Sequence, residues 1–332
     1  MAVLVAGGAG YIGSHTVAEL IDQGEEVVIL DNLYQGHQDA VVGGTFYRGD
    51  MRDEALLAEI FTAHNIEAVV HFAAHSLVGE SVEKPLDYYE NNVVATHTLV
   101  RSMIRHNVKK IVFSSTAATY GVPEQTPITE TDPQIPTNPY GETKLAIERM
   151  LAWCGQAYGL QSVCLRYFNV AGAHPKGHIG EDHTPESHLI PIILQVALGQ
   201  RERIHIFGED YDTRDGTCIR DYIHVMDLAN AHWLALNHLR EGGPSTAYNL
   251  GHGQGFTVKE VIEHARKVTG HPIPAEVAPR RAGDPPVLIA SSDKIKRELG
   301  WQPKYNSLEA MLETAWKWHQ AHPNGYRREV QS

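Results

Sequence analysis

Cysteine is scarce in this 332-residue chain. Cys154, Cys164 and Cys218 make an odd total, and no CxxC spacing occurs. A disulfide framework is therefore not expected, and a reducing compartment is. Long apolar runs are missing as well: none approaches the roughly 18 residues of a membrane helix. The opening "MAVLVAGGAG" has neither the basic segment nor the extended apolar core of a secretory leader. A soluble, cytoplasmic protein is expected. Positive charge is also in short supply, with 28 Lys and Arg against 40 Asp and Glu, a formal charge of −12. Such a balance argues against a nucleic-acid footprint, which needs a basic face. An acidic protein that binds an anion must grip it with a few local arginines. No repeat or low-complexity tract appears.

What is present is an alternation of strand and helix patterns. Apolar, β-rich runs occur at 2–6 ("AVLVA"), 26–30, 45–49, 68–73, 110–115 and 162–168. Helix-period segments separate them, which predicts βαβ units around a buried parallel sheet. The fold class expected is α/β, a doubly wound Rossmann-type parallel sheet with a smaller mixed α/β domain. After about residue 170 the pattern changes to a polar loop rich in Gly, Pro and His. Helices are expected after it near 187–199, 225–239, 257–269 and 307–321. The first domain is assigned to residues 1–170 and the second to 171–332, partly interleaved with the first.

"VLVAGGAGYIGSHTVAEL" sets Gly7, Gly10 and Gly13 between the first strand and a helix. A turn of this kind allows positive φ, close backbone approach to a pyrophosphate and tight helix–strand packing. The helix N-terminus then faces the phosphates. Asp31 ends the second strand at the spacing where a carboxylate accepts a ribose 2′-hydroxyl and repels a 2′-phosphate. The cofactor expected is NAD rather than NADP.

In "NPYGETKLAIE", Tyr140 and Lys144 lie one helical turn apart. Such a pair is often only a surface contact. Beside the glycine turn it is a candidate base, because a tyrosine near pKa 10 needs neighbouring positive charge to ionise at neutral pH. "KIVFSSTAATYG" runs a strand into Ser114, Ser115 and Thr116 at the sheet's carboxyl edge, where ligands of open α/β sheets bind. Thr116 is the candidate hydrogen-bonding partner of a substrate hydroxyl.

These segments, with "HFAA" at 71–74 and "NN" at 91–92, resemble the extended short-chain dehydrogenase/reductase family. "LRYFNVAGAHPKGHIGEDH", "FGEDYDTRDGTCIRDYIHVMDLA", "APRRAGD" and "HPNGY" narrow the likeness to its UDP-glucose (UDP-galactose) 4-epimerases, from residue 2 to about 326. That resemblance implies a homodimer with retained NAD. It also implies inversion at the hexose C4 of a UDP-sugar through a 4-keto intermediate. Tyr140 would be the base, Thr116 its partner and Lys144 its electrostatic support. Cofactor contacts implied are Gly7, Gly10, Tyr11, Ile12, Asp31, Asn32, Asp50, Met51, Phe72, Ala73, Ala74, Asn91, Lys144 and Phe168. UDP-sugar contacts implied, besides Thr116 and Tyr140, are Asn169, Leu189, Phe207, Arg220, Arg281 and Asp284. Arginine's planar, permanently charged fork suits a diphosphate. Leu288 stands where relatives vary between small residues and tyrosine, so activity on UDP-N-acetylhexosamines is expected as well.

Two positions depart from the family pattern. Ser76 stands where many members have a cofactor-reaching lysine, and His188 stands where many have an asparagine. A nucleotide-sugar 4,6-dehydratase shares the opening oxidation, but its hydroxyl residue is followed by an Asp-Glu pair. Here Thr116 is followed by Ala117 and Ala118, which transfer no proton. A dinucleotide-sensing regulator would need neither the Tyr–Lys pair nor the arginines. His174, His178, His183 and His188 crowd one loop with Glu181 and Asp182. No helix face presents them together, so no metal is expected.

Overall fold

The computed structural model describes residues 1–281 and 284–326. The strands are β1 (Ala2–Ala6), β2 (Glu26–Asp31), β3 (Thr45–Arg48), β4 (Ile66–His71), β5 (Lys110–Thr116), β6 (Gln161–Tyr167), β7 (Asn169–Ala171), β8 (Ile204–Phe207), β9 (Ile219–His224), β10 (Thr246–Leu250), β11 (Gly255–Thr257), β12 (Ala275–Ala278) and β13 (Val287–Leu288). The helices are α1 (Tyr11–Asp22), α2 (Glu54–Ala63), α3 (Val78–Glu83), α4 (Pro85–Tyr88), α5 (Ala95–Arg105), α6 (Pro139–Tyr158), α7 (Leu189–Ala197), α8 (Val225–Arg240), α9 (Val258–Thr269), α10 (Asp293–Leu299) and α11 (Leu308–Ala321).

Seven parallel strands form the main sheet in the order β10-β6-β5-β4-β1-β2-β3. β1 is buried on both faces, as its unbroken apolar run requires. Alternate residues feed opposite layers. Leu4 joins Leu57, Leu99 and Leu151 on the side of α2, α5 and α6. Val3 and Val5 join Val17 and Leu228 on the side of α1 and α8. A third cluster gathers Ile193, Val261 and Leu312 from α7, α9 and α11. A smaller sheet of β11, β9, β13 and β7 and the pair β12–β8 stand beside the main one. β10 lies beyond residue 170, yet it pairs in parallel with β6 as the edge of the main sheet.

The chain runs outward from β1 through β2 and β3, then crosses back to β4, so the strand order reverses between β1 and β4. Open α/β sheets bind ligands at the crevice outside such a reversal. β4 spans 66–71 rather than the expected 68–73. It ends at His71 because the Phe72 and Ala73 N–H groups both turn to Ala6 O, at 2.8 and 3.0 Å. Among the described residues, no helix is long and apolar enough to cross a membrane.

Several histidines are sealed in the core. Burial holds His15, His71 and His224 down to about 3 and His232 to about 4. Nδ1 of His15 donates to Tyr11 O at 2.7 Å, leaving its buried Nε2 without a partner among the described residues. Protonation there would strand an N–H in the core. These folded pKa values lie below the unfolded value near 6.5, so the stability they carry is present above that pH and falls as pH drops. Each neutral histidine removes about 1.4 kcal/mol per pH unit between roughly 6.5 and 4. Asp221, held up to about 6 by burial, opposes with one proton. A steep loss of stability on acidification is expected, read from urea midpoints at pH 7, 6 and 5. A flat profile would contradict it.

Candidate active site

Helix α6 begins by local chemistry. Asn138 caps it, its side chain accepting the Gly141 N–H at 2.9 Å, with Pro139 at the first position. Gly141 permits close docking: a Cβ there would stand 2.5 Å from Ala118 O. The first turn of α6 is thereby pressed against the end of β5, and Tyr140 and Thr116 line one cavity. The Thr116 hydroxyl accepts the Ala118 N–H at 3.2 Å, which fixes its orientation. One turn further on, Lys144 is buried. Its Nζ donates to Ser114 O at 2.8 Å and lies 4.9 Å from the Phe113 ring centroid.

Charge behaves differently here from the simple sequence expectation. Burial raises the Tyr140 phenol above its ordinary value, and the neighbouring Thr116 side chain offsets only part of that. Burial also lowers Lys144 to about 7, with Glu148 opposing. Lys144 Nζ stands 6.0 Å from the Tyr140 ring centroid. In the polypeptide alone, dehydration disfavours both the phenolate and the ammonium. Behind them, Glu148 binds Arg166 through two nitrogens, at 3.0 and 2.6 Å, and accepts from Ser115. Tyr167 meets the Ser114 hydroxyl beside this network.

One cavity of about 350 Å³ joins these groups to the glycine turn. Every expected cofactor position lines it: Gly7, Gly10, Tyr11, Ile12, Asp31, Asn32, Asp50, Met51, Phe72, Ala73, Ala74, Asn91, Lys144 and Phe168. The turn fits a dinucleotide. Gly7 has φ +84°, and a Cβ on it would stand 2.5 Å from Ala73 N, while one on Gly13 would stand 2.0 Å from Gly7 O. Among the described residues no side chain caps the N-terminus of α1, which opens onto the cavity. Asp31 takes the Ala9 and Leu33 N–H groups at 2.9 and 2.8 Å, one on each carboxylate oxygen. That holds the carboxylate at the β2 end and leaves lone pairs for a ribose hydroxyl. Asp50 is committed to Arg52, at 2.8 Å through two nitrogens, and is held down to about 2. Ser76 lines the cavity, and Lys144 is the only lysine or arginine among the described residues that do.

The expected substrate positions fall into two groups. Thr116, Tyr140, Asn169 and Leu189 line the same cavity. Phe207, Arg220, Arg281, Asp284 and Leu288 do not line it. Arg281 lies 3.9 Å over the Phe207 ring, and Arg220 pairs with Asp284 at 3.2 Å. Leu288 is in register with Arg220 across β13 and β9. Arg220 projects from the same side of β9 as Tyr222, which does line the cavity. The adjacent arginines divide: Arg280 is committed to Asp210 at 2.6 Å, whereas Arg281 has a ring and no carboxylate partner among the described residues. Ala282 and Gly283 of the "APRRAGD" segment lie outside the described residues.

Sequence reasoning missed Tyr167, Tyr222 and Pro191 as cavity walls. The first was legible in principle, since Tyr167 directly precedes Phe168 at a strand end. Tyr222 was not, because its place depends on the pairing of β9 with β7, where it faces Asn169.

In the loop before α7, the histidines separate. His174 and His178 pack on each other, with ring centroids 4.3 Å apart. His183 and His188 instead join Glu181 and Glu186, and one donor atom from each lies within 4.8 Å of the others. Burial would raise Glu181, yet the two imidazoles hold it down to about 2. Burial works against charge on His183, yet Glu181 and Glu186 raise it to about 10.

Residues 3–251 match the family described as NAD dependent epimerase/dehydratase family. A UDP-glucose 4-epimerase of Halalkalibacterium halodurans is 70% identical over 329 residues, 99% of this chain and 98% of that protein. A crystal structure of a UDP-glucose 4-epimerase superposes with a TM-score of 0.97 at 60% identity, covering 99% of this chain and 100% of the other. The UDP-glucose 4-epimerase from Bifidobacterium longum, solved in complex with NAD+ and UDP, gives a TM-score of 0.94 at 42% identity, covering 98% and 100%.

Proposed function

The chain belongs to the UDP-glucose 4-epimerases of the NAD dependent epimerase/dehydratase family, and from that premise we propose how its own residues invert the hexose C4 of a UDP-sugar. NAD, when bound, supplies a hydride acceptor and donor for C4 and a ring cation that favours the phenolate. Gly7, Gly10, Tyr11 and Ile12 would hold its pyrophosphate at the α1 N-terminus. Asp31 and Asn32 would take a ribose, and Asp50, Met51, Phe72, Ala73, Ala74, Asn91 and Phe168 would line the rest of the cleft. Lys144 would bond a cofactor ribose.

Tyr140 takes the proton of the C4 hydroxyl, and Thr116 holds that hydroxyl in line. The 4-keto sugar turns within the site, and Tyr140 returns the proton on the new face. Arg220 and Arg281 grip the diphosphate, with Asp284 orienting Arg220. Phe207, Asn169 and Leu189 hold the uridine end. UDP is gripped firmly and the hexose loosely, as the turn demands. Residues 1–170 serve NAD and 171–332 the UDP-sugar, with β10 contributed across that line.

The observation that carries this reading is that Tyr140, Thr116 and buried Lys144 line one cavity with the glycine turn. Ala117 and Ala118, directly after Thr116, offer no acid or base for an elimination at C5 and C6, which disfavours the 4,6-dehydratase alternative. Purified protein given UDP-galactose should yield UDP-glucose. A 4-keto-6-deoxy product would overturn the reading.

Leu288 leaves room for a 2-acetamido group in this scheme. Leu288→Tyr should cut turnover of UDP-N-acetylglucosamine about 10-fold or more, by crowding, while sparing UDP-glucose. Equal losses on both substrates would remove Leu288 from selectivity. The working form is a cytoplasmic homodimer. Leu86 is 81% exposed, and Val82, Tyr89 and Val94 are exposed with it on consecutive helical segments. A second copy of this chain would cover these apolar groups. Leu86→Glu should give the monomer mass in light scattering, and a wild-type monomer would contradict the assignment.

A further inference from the structure

We propose that Glu181, His183, Glu186 and His188 form a binding site for one divalent transition-metal ion of the zinc class at the edge of the catalytic cavity, built from residues that are not among the expected NAD and UDP-sugar contacts. The donors are two imidazole nitrogens and two carboxylate oxygens, all within 4.8 Å of one another. Four tetrahedral ligands at about 2.0–2.1 Å from zinc stand about 3.4 Å apart. Here Glu181 Oε1 is 3.3 Å from His183 Nδ1, and His183 Nδ1 is 3.7 Å from Glu186 Oε2. The Glu181–His188 contact, at 2.5 Å, is tighter and opens by under about 1 Å to admit an ion at those bond lengths. Two imidazoles with two carboxylates suit zinc, whereas calcium and magnesium prefer oxygen donors throughout.

The donors are held both within the loop and from outside it. The Glu186 side chain accepts the N–H groups of Ser187 and His188, both at 2.8 Å, leaving Oε2 toward His183. Trp318 Nε1 donates to Glu181 O at 3.2 Å. Tyr326 brackets Gly180, its hydroxyl accepting the N–H at 3.0 Å and donating to the carbonyl at 3.1 Å. Asp182 takes the Tyr326 N–H at 3.0 Å. A second cavity lined by Glu181, His183 and Glu186 gives an ion its entry. The charges balance either way. Two buried carboxylates are matched by two imidazolium protons or by one dication, so binding releases protons and leaves the net charge unchanged.

The site has a structural consequence. His188 precedes α7, and His183 and His188 also border the catalytic cavity. A bound ion ties the 181–188 loop to the start of α7 and stiffens that wall.

The test uses NAD-containing protein stripped with chelator and dialysed, then titrated with Co²⁺ and Zn²⁺. One equivalent of Co²⁺ should give the intense visible absorption of a four-coordinate ion, and Zn²⁺ should displace it stoichiometrically. His183→Ala and Glu186→Gln should each abolish that absorption and its equivalent of Zn²⁺, while His174→Ala leaves both unchanged. Absence of a stoichiometric ion in the parent protein would overturn the proposal. So would undiminished binding in well-folded His183→Ala or Glu186→Gln protein, which would put the ion on other histidines.

Discussion

Tyr140→Phe should keep the fold and the bound NAD and lose turnover by about 10²–10⁴-fold, the span a positioned acid–base group contributes. Phenylalanine preserves the ring in the cavity wall and removes only the hydroxyl. Thr116 keeps its bond to the Ala118 N–H, so the turn after β5 stays in place. None of the glycine-turn contacts changes. Stability should move by about 1 kcal/mol, the worth of one hydrogen bond. The loss should therefore fall on kcat and leave KM near its parent value. Absorbance of the isolated protein reads retained NAD, and conversion of UDP-galactose reads turnover. Unchanged turnover would remove Tyr140 from the mechanism.

Lys144→Met should lower kcat/KM by about 10²–10³-fold, comparable to removing one preorganised electrostatic donor. The thioether fills nearly the same volume, so the change is chiefly electrostatic. It strips a buried cation from the site and leaves Ser114 O without the 2.8 Å donor it now has. Loss of that hydrogen bond costs about 1 kcal/mol of stability. The rate profile should also shift. Burial already raises Tyr140, and without the lysine its ionisation moves further up, so the rising limb of kcat against pH moves to higher pH. A uniform drop with an unmoved limb would indicate a packing role only. Arginine at 144 restores charge but not shape, since its fork is too broad for a pocket closed over one ammonium.

Much of the fold was legible because its main signals are local. β1 is a continuous apolar run, and it is buried at every position. α6 starts at Asn138 and Pro139 and stops at Gly159, which adopts φ 69°, so both its ends are set by local residue types. The glycine turn and Asp31 likewise carried their own spacing. What escaped depends on contacts distant in sequence. β10 is short and mixed in character, and only its pairing with β6 makes it a strand of the main sheet. The approach of Gly141 to Ala118 O, which brings Tyr140 to Thr116, has no signature in composition.

The charge state of the pair was the subtler miss. Spacing put Lys144 near Tyr140 and suggested mutual support, whereas burial disfavours both ionised forms. Depth of burial is a property of the packed sheet and cannot be read from four intervening residues. The loop before α7 shows the same limit. Sequence spacing found no helix face to gather its histidines, and none does. Trp318 and Tyr326, from the C-terminal part of the chain, hold the loop so that two of the four histidines converge with two glutamates.

In the proposed reaction C4 is oxidised and reduced again within one site. UDP-galactose carrying deuterium at C4 is therefore incubated in ordinary water with the protein as isolated and no added nucleotide. UDP-glucose should form with deuterium retained at C4. Product with hydrogen at C4, or no product until external NAD is supplied at every turnover, would contradict it.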